Sequence, residues 1–177
     1  HDETAEMRRR IVNVASVPQR SPFRYPGGKT WLVPRIREWL ISRPIRPALL
    51  VEPFAGGGIV GLTAAFEQLV DHVLMVELDQ QVAAVWQAIL GGEGQWLADA
   101  IMAFDLTQSN VETTLAQKGG KLRDMAFRTL LRNRINRGGI LAPGAGIIKH
   151  GENGKGLSSR WYPDTLRRRI LAISAAR

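Results

Sequence analysis

The sequence contains no cysteine, which excludes disulfides, thiolate metal sites and cysteine nucleophiles. It also lacks a long apolar run, so it predicts no membrane-spanning helix. No secretory signal opens the chain, and these absences together favour a cytoplasmic protein. Apolar residues still make up 45% of the 177 residues, enough for a folded core and too many for a disordered chain. The length predicts one domain, or one domain plus a small appendage.

Acidic residues are scarce in the last part of the chain. Residues 121–177 contain 13 Lys and Arg against three Asp and Glu, whereas residues 1–120 contain 11 against 13. The balance is therefore +10 in the second segment and −2 in the first. Such a cationic region indicates a polyanionic partner, most often nucleic acid. The alternative is a basic surface that serves solubility alone.

Hydrophobic patterning predicts two short buried strands with a helix between them. The strands cover 47–52 and 72–78, and the helix follows a run of glycines at 56–58. A second helix at 80–90 ends at Gly91-Gly92, a typical helix stop. This order predicts a βαβ unit with a parallel sheet.

The remaining elements are predicted to be helical, apart from a flexible arm at 1–20. Further helices are expected at 30–42, at 94–117, at 121–136 and from Pro163 to the end, with a long Gly-rich loop at 137–162. The helix at 30–42 is expected to bury one face, which carries Trp31, Leu32, Ile36, Leu40 and Ile41. The helix at 121–136 is strongly basic.

The segment SPFRYPGGKT, residues 21–30, resembles the end of a phosphate-binding P-loop. Residues 28–30 fit the last positions of that signature, G-x-x-x-x-G-K-[ST]. However, its first glycine would fall at Phe23, and nearby prolines break the buried strand that a P-loop follows. The segment therefore needs another role.

A Gly-rich turn lies between the first strand and its helix. In VEPFAGGGIVG, residues 51–61, Gly56, Gly58 and Gly61 satisfy G-x-G-x-x-G, and Glu77 ends the next strand. Glycines allow close approach of a ligand to the backbone, and such an acid accepts hydrogen bonds from ribose hydroxyls. The pattern predicts a nucleoside-containing ligand, either a dinucleotide such as NAD or S-adenosylmethionine. The alternative is a plain turn beside a solvated acid.

Three segments together resemble the Dam-like family of adenine-specific DNA methyltransferases. They are SPFRYPGGKTWL at 21–32, VEPFAGGGIVGL at 51–62 and MVELD at 75–79, and the resemblance extends over roughly 21–170. It implies an α/β, Rossmann-like S-adenosylmethionine-dependent methyltransferase fold, incomplete in this chain, with a helical and basic DNA-recognition insertion. The implied division is a cofactor-binding part at 21–92 and a recognition region at 93–177.

The resemblance implies S-adenosylmethionine as cofactor and double-stranded DNA as partner. Tyr25 and Lys29 match the family's N-terminal motif, Glu77 its ribose-binding acid, and Leu78 the residue beside the adenine ring. The implied cofactor contacts are Tyr25, Gly28, Lys29, Pro53, Phe54, Gly56, Gly58, Glu77 and Leu78. No metal site is expected.

The basic region occupies the position of the family's target-recognition segment. The DNA-contacting residues predicted there are Arg132, Arg134, Asn136, Arg137, Lys149, Lys155 and Arg160. Asn133 and Asn136 are candidates for base edges, and arginines for guanine or phosphate. Trp161 and Tyr162 are expected to be core residues at a helix start rather than stacking platforms.

The sequence departs from the family at its catalytic motif, Asp-Pro-Pro-Tyr. No two prolines are adjacent anywhere in the chain. We therefore expect no catalytic residue here and no turnover by this chain alone, with a catalytic portion missing at the C-terminal side. Three hypotheses remain: the front part of an adenine methyltransferase, a non-catalytic or split subunit that binds cofactor and DNA, and, less favoured, an NAD-dependent oxidoreductase.

Overall fold

A computed structural model describes residues 2–24, 28–136 and 156–177. The chain forms two compact units. The first comprises His1–Ser21 and Gly27–Glu77, and the second Pro22–Pro26 and Leu78–Arg177. Of the helices described, none is long and apolar enough to cross a membrane.

The first unit is built on a βαβ arrangement. Its elements are helix α1 (Glu3–Val12), helix α2 (Val33–Ile41), strand β1 (Leu49–Pro53), helix α3 (Ile59–Phe66) and strand β2 (His72–Val76). The two strands pair in parallel, in a register that runs from Leu49 opposite His72 to Pro53 opposite Val76. The predicted strands, crossover helix and parallel pairing are confirmed.

The sheet is covered differently on its two faces. Helix α3 packs against the face that carries Leu50 and Val73. On the opposite face Leu49, Val51, Leu74 and Val76 are 42–52% exposed. The prediction of fully buried strands is therefore wrong for this face. Continuous apolar runs are typical of parallel strands covered on both faces, and here the crossover helix covers one.

Helix α2 buries part of the predicted face, since Leu40 is buried and Ile36 packs against the core. A 3-10 turn at Lys29–Leu32 precedes it, and the regular helix begins only at Val33. The tighter turn shifts the phase of the helical periodicity. As a result Val33, Arg37 and Leu40 are buried, whereas Trp31 and Ile41 are exposed.

The N-terminal segment, predicted to be a flexible arm, has secondary structure of its own. It contains α1, which packs against α2, and a 3-10 turn at Val14–Ser16. Val17 then joins a buried cluster with Val33, Ile59 and Val60. The end of this segment is therefore part of the first unit's core.

The second unit is helical in its described residues. Its elements are α4 (Gln80–Ala88), a π turn (Ile89–Glu93), α5 (Gly94–Ala103), α6 (Gln108–Ala116), α7 (Leu122–Ile135), a 3-10 turn (Gly156–Arg160) and α8 (Pro163–Ala176). Helix α4 packs on α7, and α5 packs on α8. Gly92 has φ 105°, which agrees with the predicted helix stop. The single predicted helix at 94–117 is two helices, with a break at 104–107.

Helix α7 is the basic helix predicted at 121–136, but it is also a central core element. Leu130, Leu131 and Ile135 are fully buried in it. The second compact unit begins at Leu78 and contains both α4 and α7, which pack together, whereas the functional division at 92/93 stays a prediction. Charged residues in α7 concealed this role, because their long side chains can cover apolar surface while their heads reach water.

An aromatic cluster lies where the chain enters α8. The ring of Trp161 is buried and lies 6.1 Å from Phe104 and 6.5 Å from Phe127, centroid to centroid. The prediction that Trp161 is a core residue is confirmed. Tyr162, in contrast, is exposed, with a left-handed φ of 43°.

Candidate cofactor-binding site

The Gly-rich turn follows the carboxyl end of β1 and has a left-handed backbone at three positions. The φ angles are 55° at Phe54, 53° at Gly56 and 71° at Gly58. Glycine adopts this conformation without a steric penalty, whereas phenylalanine stores strain there. The Ala55 amide donates to the carbonyl oxygen of Val76 (2.9 Å), so the turn is fixed to the end of β2.

A second bond to the turn comes from the predicted ribose-binding acid. The Gly56 amide donates to Glu77 Oε2 at 2.7 Å. Glu77 directly follows β2, and Gly56 lies in the turn after β1. The structure therefore brings the glycine turn and the acid together at the carboxyl ends of the two parallel strands, which is where open α/β sheets bind ligands.

Lys29 is also part of this group. Its Nζ donates to the carbonyl oxygen of Phe54 at 2.7 Å and to that of Pro53 at 3.4 Å. The side chain thus ties the 3-10 turn before α2 to the Gly-rich turn. Gly28 stands at the N-cap of the same 3-10 turn.

Glu52 is a further site residue that the sequence reasoning missed. It is 4% exposed, and its Oε2 accepts a hydrogen bond from the Gly61 amide at 2.6 Å. Its Oε1 is buried without a hydrogen-bond partner in the described part of the chain. Burial raises the pKa of the Glu52 carboxyl, and the Gly61 bond and the Lys29 cation counteract this. The sequence feature that could have identified Glu52 is an acid near the end of an apolar strand.

Two large apolar side chains are exposed at positions predicted to contact a cofactor. Phe54 is 70% exposed in the first unit, and Leu78 is 79% exposed at the start of the second. Tyr25, also predicted to contact the cofactor, lies outside the described residues.

The residues predicted to contact DNA are placed unevenly. Arg132 is partly exposed and donates from Nη1 to Gln81 Oε1 at 3.1 Å. Arg160 is also partly exposed, in the 3-10 turn before α8. Arg137, Lys149 and Lys155 lie outside the described residues.

The other two predicted DNA contacts are interior residues of the second unit. Arg134 is 3% exposed and donates from Nη2 to the carbonyl oxygen of Pro22 at 2.9 Å, and Asn136 is 4% exposed. Burial and the nearby cations of Arg169 and Arg24 lower the pKa of Arg134 to about 10. Arg134 lies in α7 and Asn136 directly follows it, and both side chains lie inside the unit.

A known protein family matches the part of the chain that contains the strands and the turn of this site. The sequence model of the D12 class N6 adenine-specific DNA methyltransferase family matches residues 25–127, more than half of the chain. The chain belongs to this family. The matched range contains β1, the Gly-rich turn, β2 and Glu77, and it ends within α7. A search of curated proteins finds no match.

Membership of the D12 class confirms the resemblance drawn from the three sequence segments. The described elements, a small parallel sheet with helices, are compatible with an α/β methyltransferase fold. The family's description indicates methylation of adenine in DNA.

Proposed function

We propose that this chain binds S-adenosylmethionine for methyl transfer to the exocyclic amino group of adenine in DNA. The observation that carries the proposal is the bond between Glu77 and the Gly56 amide. It joins an acid and a glycine turn at the carboxyl ends of adjacent parallel strands, the arrangement expected for a nucleoside ligand. We propose further that the fold is Rossmann-like and that the basic helical region is its DNA-recognition insertion.

The residues at this edge fit the chemistry of S-adenosylmethionine, which supplies an activated methyl group on its sulfonium. Glu77 would accept bonds from the ribose hydroxyls, and Phe54 and Leu78 would offer apolar contact to rings. The unsatisfied Glu52 oxygen and Lys29 provide opposite charges for the ammonium and carboxylate of the methionine end. The positive φ angles at Gly56 and Gly58 leave the backbone open to close approach.

DNA binding is proposed from the charge of the second segment. This segment has 13 Lys and Arg against three Asp and Glu, and among them Arg132 and Arg160, on the described surface, would engage phosphates. Arg137, Lys149 and Lys155 remain proposed contacts. Binding should therefore weaken steeply with salt, which an anisotropy titration of labelled duplex DNA would measure.

We also propose that the catalytic Asp-Pro-Pro-Tyr motif is supplied from outside these 177 residues, since they contain no adjacent prolines. A split or non-catalytic subunit that binds cofactor and DNA is the second candidate, on the same observation. In either case binding rather than turnover is the property expected of this chain.

The test is calorimetric titration of the chain with S-adenosylmethionine and, separately, with NAD. Glu77→Gln should weaken S-adenosylmethionine binding about ten- to a hundredfold, because a charge-assisted hydrogen bond to the ribose is lost. Glu38→Gln, an exposed carboxylate on α2 of the same unit, is the matched control and should leave the affinity unchanged.

Two outcomes contradict the proposal. One is binding of NAD in preference to S-adenosylmethionine, which would favour an oxidoreductase. The other is equal affinity in wild type and Glu77→Gln. Tritiated methyl transfer to DNA then separates the two candidates: labelling of adenine by this chain alone would remove the need for an external catalytic motif.

A further inference from the structure

Three of the residues predicted to contact DNA lie in the interior of the second unit. Asn133, in α7, is fully buried; its Oδ1 accepts from the Arg24 amide at 2.8 Å, and its Nδ2 donates to the Arg24 carbonyl oxygen at 2.7 Å. The prediction that Asn133 reads a base edge is not supported, because both ends of its amide are engaged. Arg134 and Asn136 are buried as well. A base contact on the described surface of this unit must therefore come from another residue.

Tyr162 is the exposed member of the aromatic pair that precedes α8. Trp161 is buried in the cluster with Phe104 and Phe127, whereas Tyr162 is 51% exposed. On the other side of Tyr162, the Leu166 amide of α8 donates to the Tyr162 carbonyl oxygen at 3.0 Å. An exposed ring is thus attached to a backbone that is fixed on both sides.

Folding by itself gives no reason for a tyrosine at position 162. The backbone there is left-handed, with φ 43° and ψ 62°, a conformation that favours glycine or asparagine and that bulky residues rarely adopt. The tyrosine side chain makes no capping hydrogen bond to α8, and in the described part of the chain its ring joins no aromatic pair. Strain of this kind clusters at residues that act on ligands. The exposed ring therefore indicates a ligand with a flat apolar face.

The surroundings of Tyr162 are cationic. Residues 156–177 contain five arginines against one acid, Asp164. Arg160, two residues before Tyr162, is partly exposed, and Arg167 and Arg168 are exposed on α8. Because an α-helix rises about 1.5 Å per residue, these two arginines lie within about 10 Å of Tyr162 along the helix axis. Proteins bind unpaired nucleotides with this combination, in which an aromatic ring stacks on a base and cations engage phosphates.

We propose that Tyr162 stacks on an unpaired base of DNA, while Arg160, Arg167 and Arg168 engage the flanking phosphates. Bases inside a duplex stack on one another, so the ring reaches a base face only where a nucleotide is unpaired or has left the helix. Enzymes that act on a base extrude it from the stack in this way. The proposal rests on the proposed function, and it adds to it a stacking residue and a preference for unpaired DNA.

The experiment is a fluorescence-anisotropy titration of a labelled single-stranded oligonucleotide with the intact chain. Tyr162→Asn should weaken binding about tenfold or more, because stacking of a base on the ring is lost. Tyr162→Phe keeps the ring and should stay within about threefold of wild type. Met102→Ala, which shortens an exposed apolar side chain on α5 of the same unit, is the matched control and should change affinity less than about twofold. For a fully paired duplex, Tyr162→Asn should cost less than about threefold.

Salt dependence and stability separate stacking from loss of charge or of folding. Tyr162→Asn should keep the wild-type slope of log affinity against log salt, because no phosphate contact is removed, whereas Arg167→Gln should lower its magnitude by about 0.7. The urea midpoint of Tyr162→Asn should be no lower than that of wild type, since asparagine tolerates the left-handed backbone.

If Tyr162→Asn nevertheless fails to fold, the wild-type chain carries the test. An oligonucleotide that contains 5-bromodeoxyuridine, irradiated in complex with wild type, should cross-link to Tyr162, as mapped by mass spectrometry.

The inference is overturned if Tyr162→Asn binds the single strand as tightly as wild type, or if Tyr162→Phe loses as much affinity as Tyr162→Asn. Equal losses for the single strand and the duplex, or cross-links at other residues but none at Tyr162, also overturn it. These results leave the proposed function intact. A wild-type chain that binds neither single-stranded nor duplex DNA refutes the DNA-binding part of the proposed function, and the inference with it.

Discussion

Replacing Gly61 with alanine should separate α3 from the sheet beneath it. An alanine Cβ at this position would lie 2.8 Å from Val73 Cγ1, and 3.3 Å from both Glu52 Oε2 and Met75 Cε. Carbon atoms normally pack about 3.5–4.0 Å apart, so the Val73 side chain must change its rotamer or the helix and strand must move apart. The glycine allows α3 to pack closely on the two strands that position the Gly-rich turn.

The expected size of the effect follows from two opposing contributions. Overpacking of this kind costs about 1–3 kcal/mol, and alanine in a helix is favoured over glycine by about 1 kcal/mol. We therefore expect a net loss of about 1 kcal/mol in the free energy of unfolding. For a chain of this size that corresponds to a fall of about 2–4 °C in Tm.

Urea unfolding of the intact chain is the assay, with hydrogen exchange of the α3 and β2 amides to locate the change. Gly91→Ala is the control, since a Cβ there would meet nothing within 4 Å; its stability should not fall. The double variant Gly61→Ala/Val73→Ala should lose less than the sum of the single variants, because the clashing methyl is gone. A Gly61→Ala chain as stable as wild type would refute the close-packing argument.

Three further predictions concern the buried carboxyl of Glu52, the strained backbone of Phe54 and the buried ion pair of Arg37. In the folded protein, the pKa of the Glu52 carboxyl is raised above its value in the unfolded chain. The stability that this carboxyl contributes is therefore present below the unfolded pKa and is lost as pH rises through the folded pKa. Over this pH range the urea midpoint of the wild type should fall relative to that of Glu52→Gln. Phe54→Gly should change the free energy of unfolding by less than about 1 kcal/mol, because relief of the left-handed backbone strain offsets the greater entropy of the unfolded chain. In the same variant, calorimetry should show weaker S-adenosylmethionine binding. Arg37→Met should lower the free energy of unfolding in urea by about 1–3 kcal/mol, because buried Arg37 donates to Glu67 Oε2 at 2.7 Å. Arg46→Met, which removes an exposed ion pair, should lower it by less than about 1 kcal/mol.

Contrary results for these changes are equally specific. A flat pH dependence of the gap between Glu52→Gln and wild type would contradict the burial of that carboxyl. Unchanged cofactor affinity in Phe54→Gly would remove the aromatic ring from the proposed site. Equal losses in the two arginine variants would show that burial does not distinguish the two ion pairs.

The βαβ unit was predictable because its signals are local. A glycine turn between an apolar run and a helix pattern, followed by another apolar run ending at Glu77, fixes the order of elements and the edge where the turn and the acid meet. The same local reasoning located α7 and α8 to within a residue or two of their observed bounds.

The parts that the sequence did not predict depend on which surfaces meet. The apolar run of β1 could not show that Leu49 and Val51 stay exposed, because periodicity does not tell which face is covered. The polar side chains of Asn133 and Arg134 were assigned to DNA because of their basic surroundings. Their actual partners lie more than 100 residues earlier in the sequence, which no local pattern reveals.

The long sequence separation of these partners affects the order in which parts of the chain can fold during synthesis. Arg24 and Asn133 are 109 residues apart, and both bonds between them require α7. During synthesis the βαβ part at 49–76 can therefore form from contiguous chain well before Pro22 and Arg24 find their partners in α7. A nascent chain that ends before Asn133 contains the sheet, the glycine turn and Glu77, but Pro22 and Arg24 still lack their partners in α7. Pro22 and Arg24 are thus among the first residues translated, but they meet these partners only after α7 has been made.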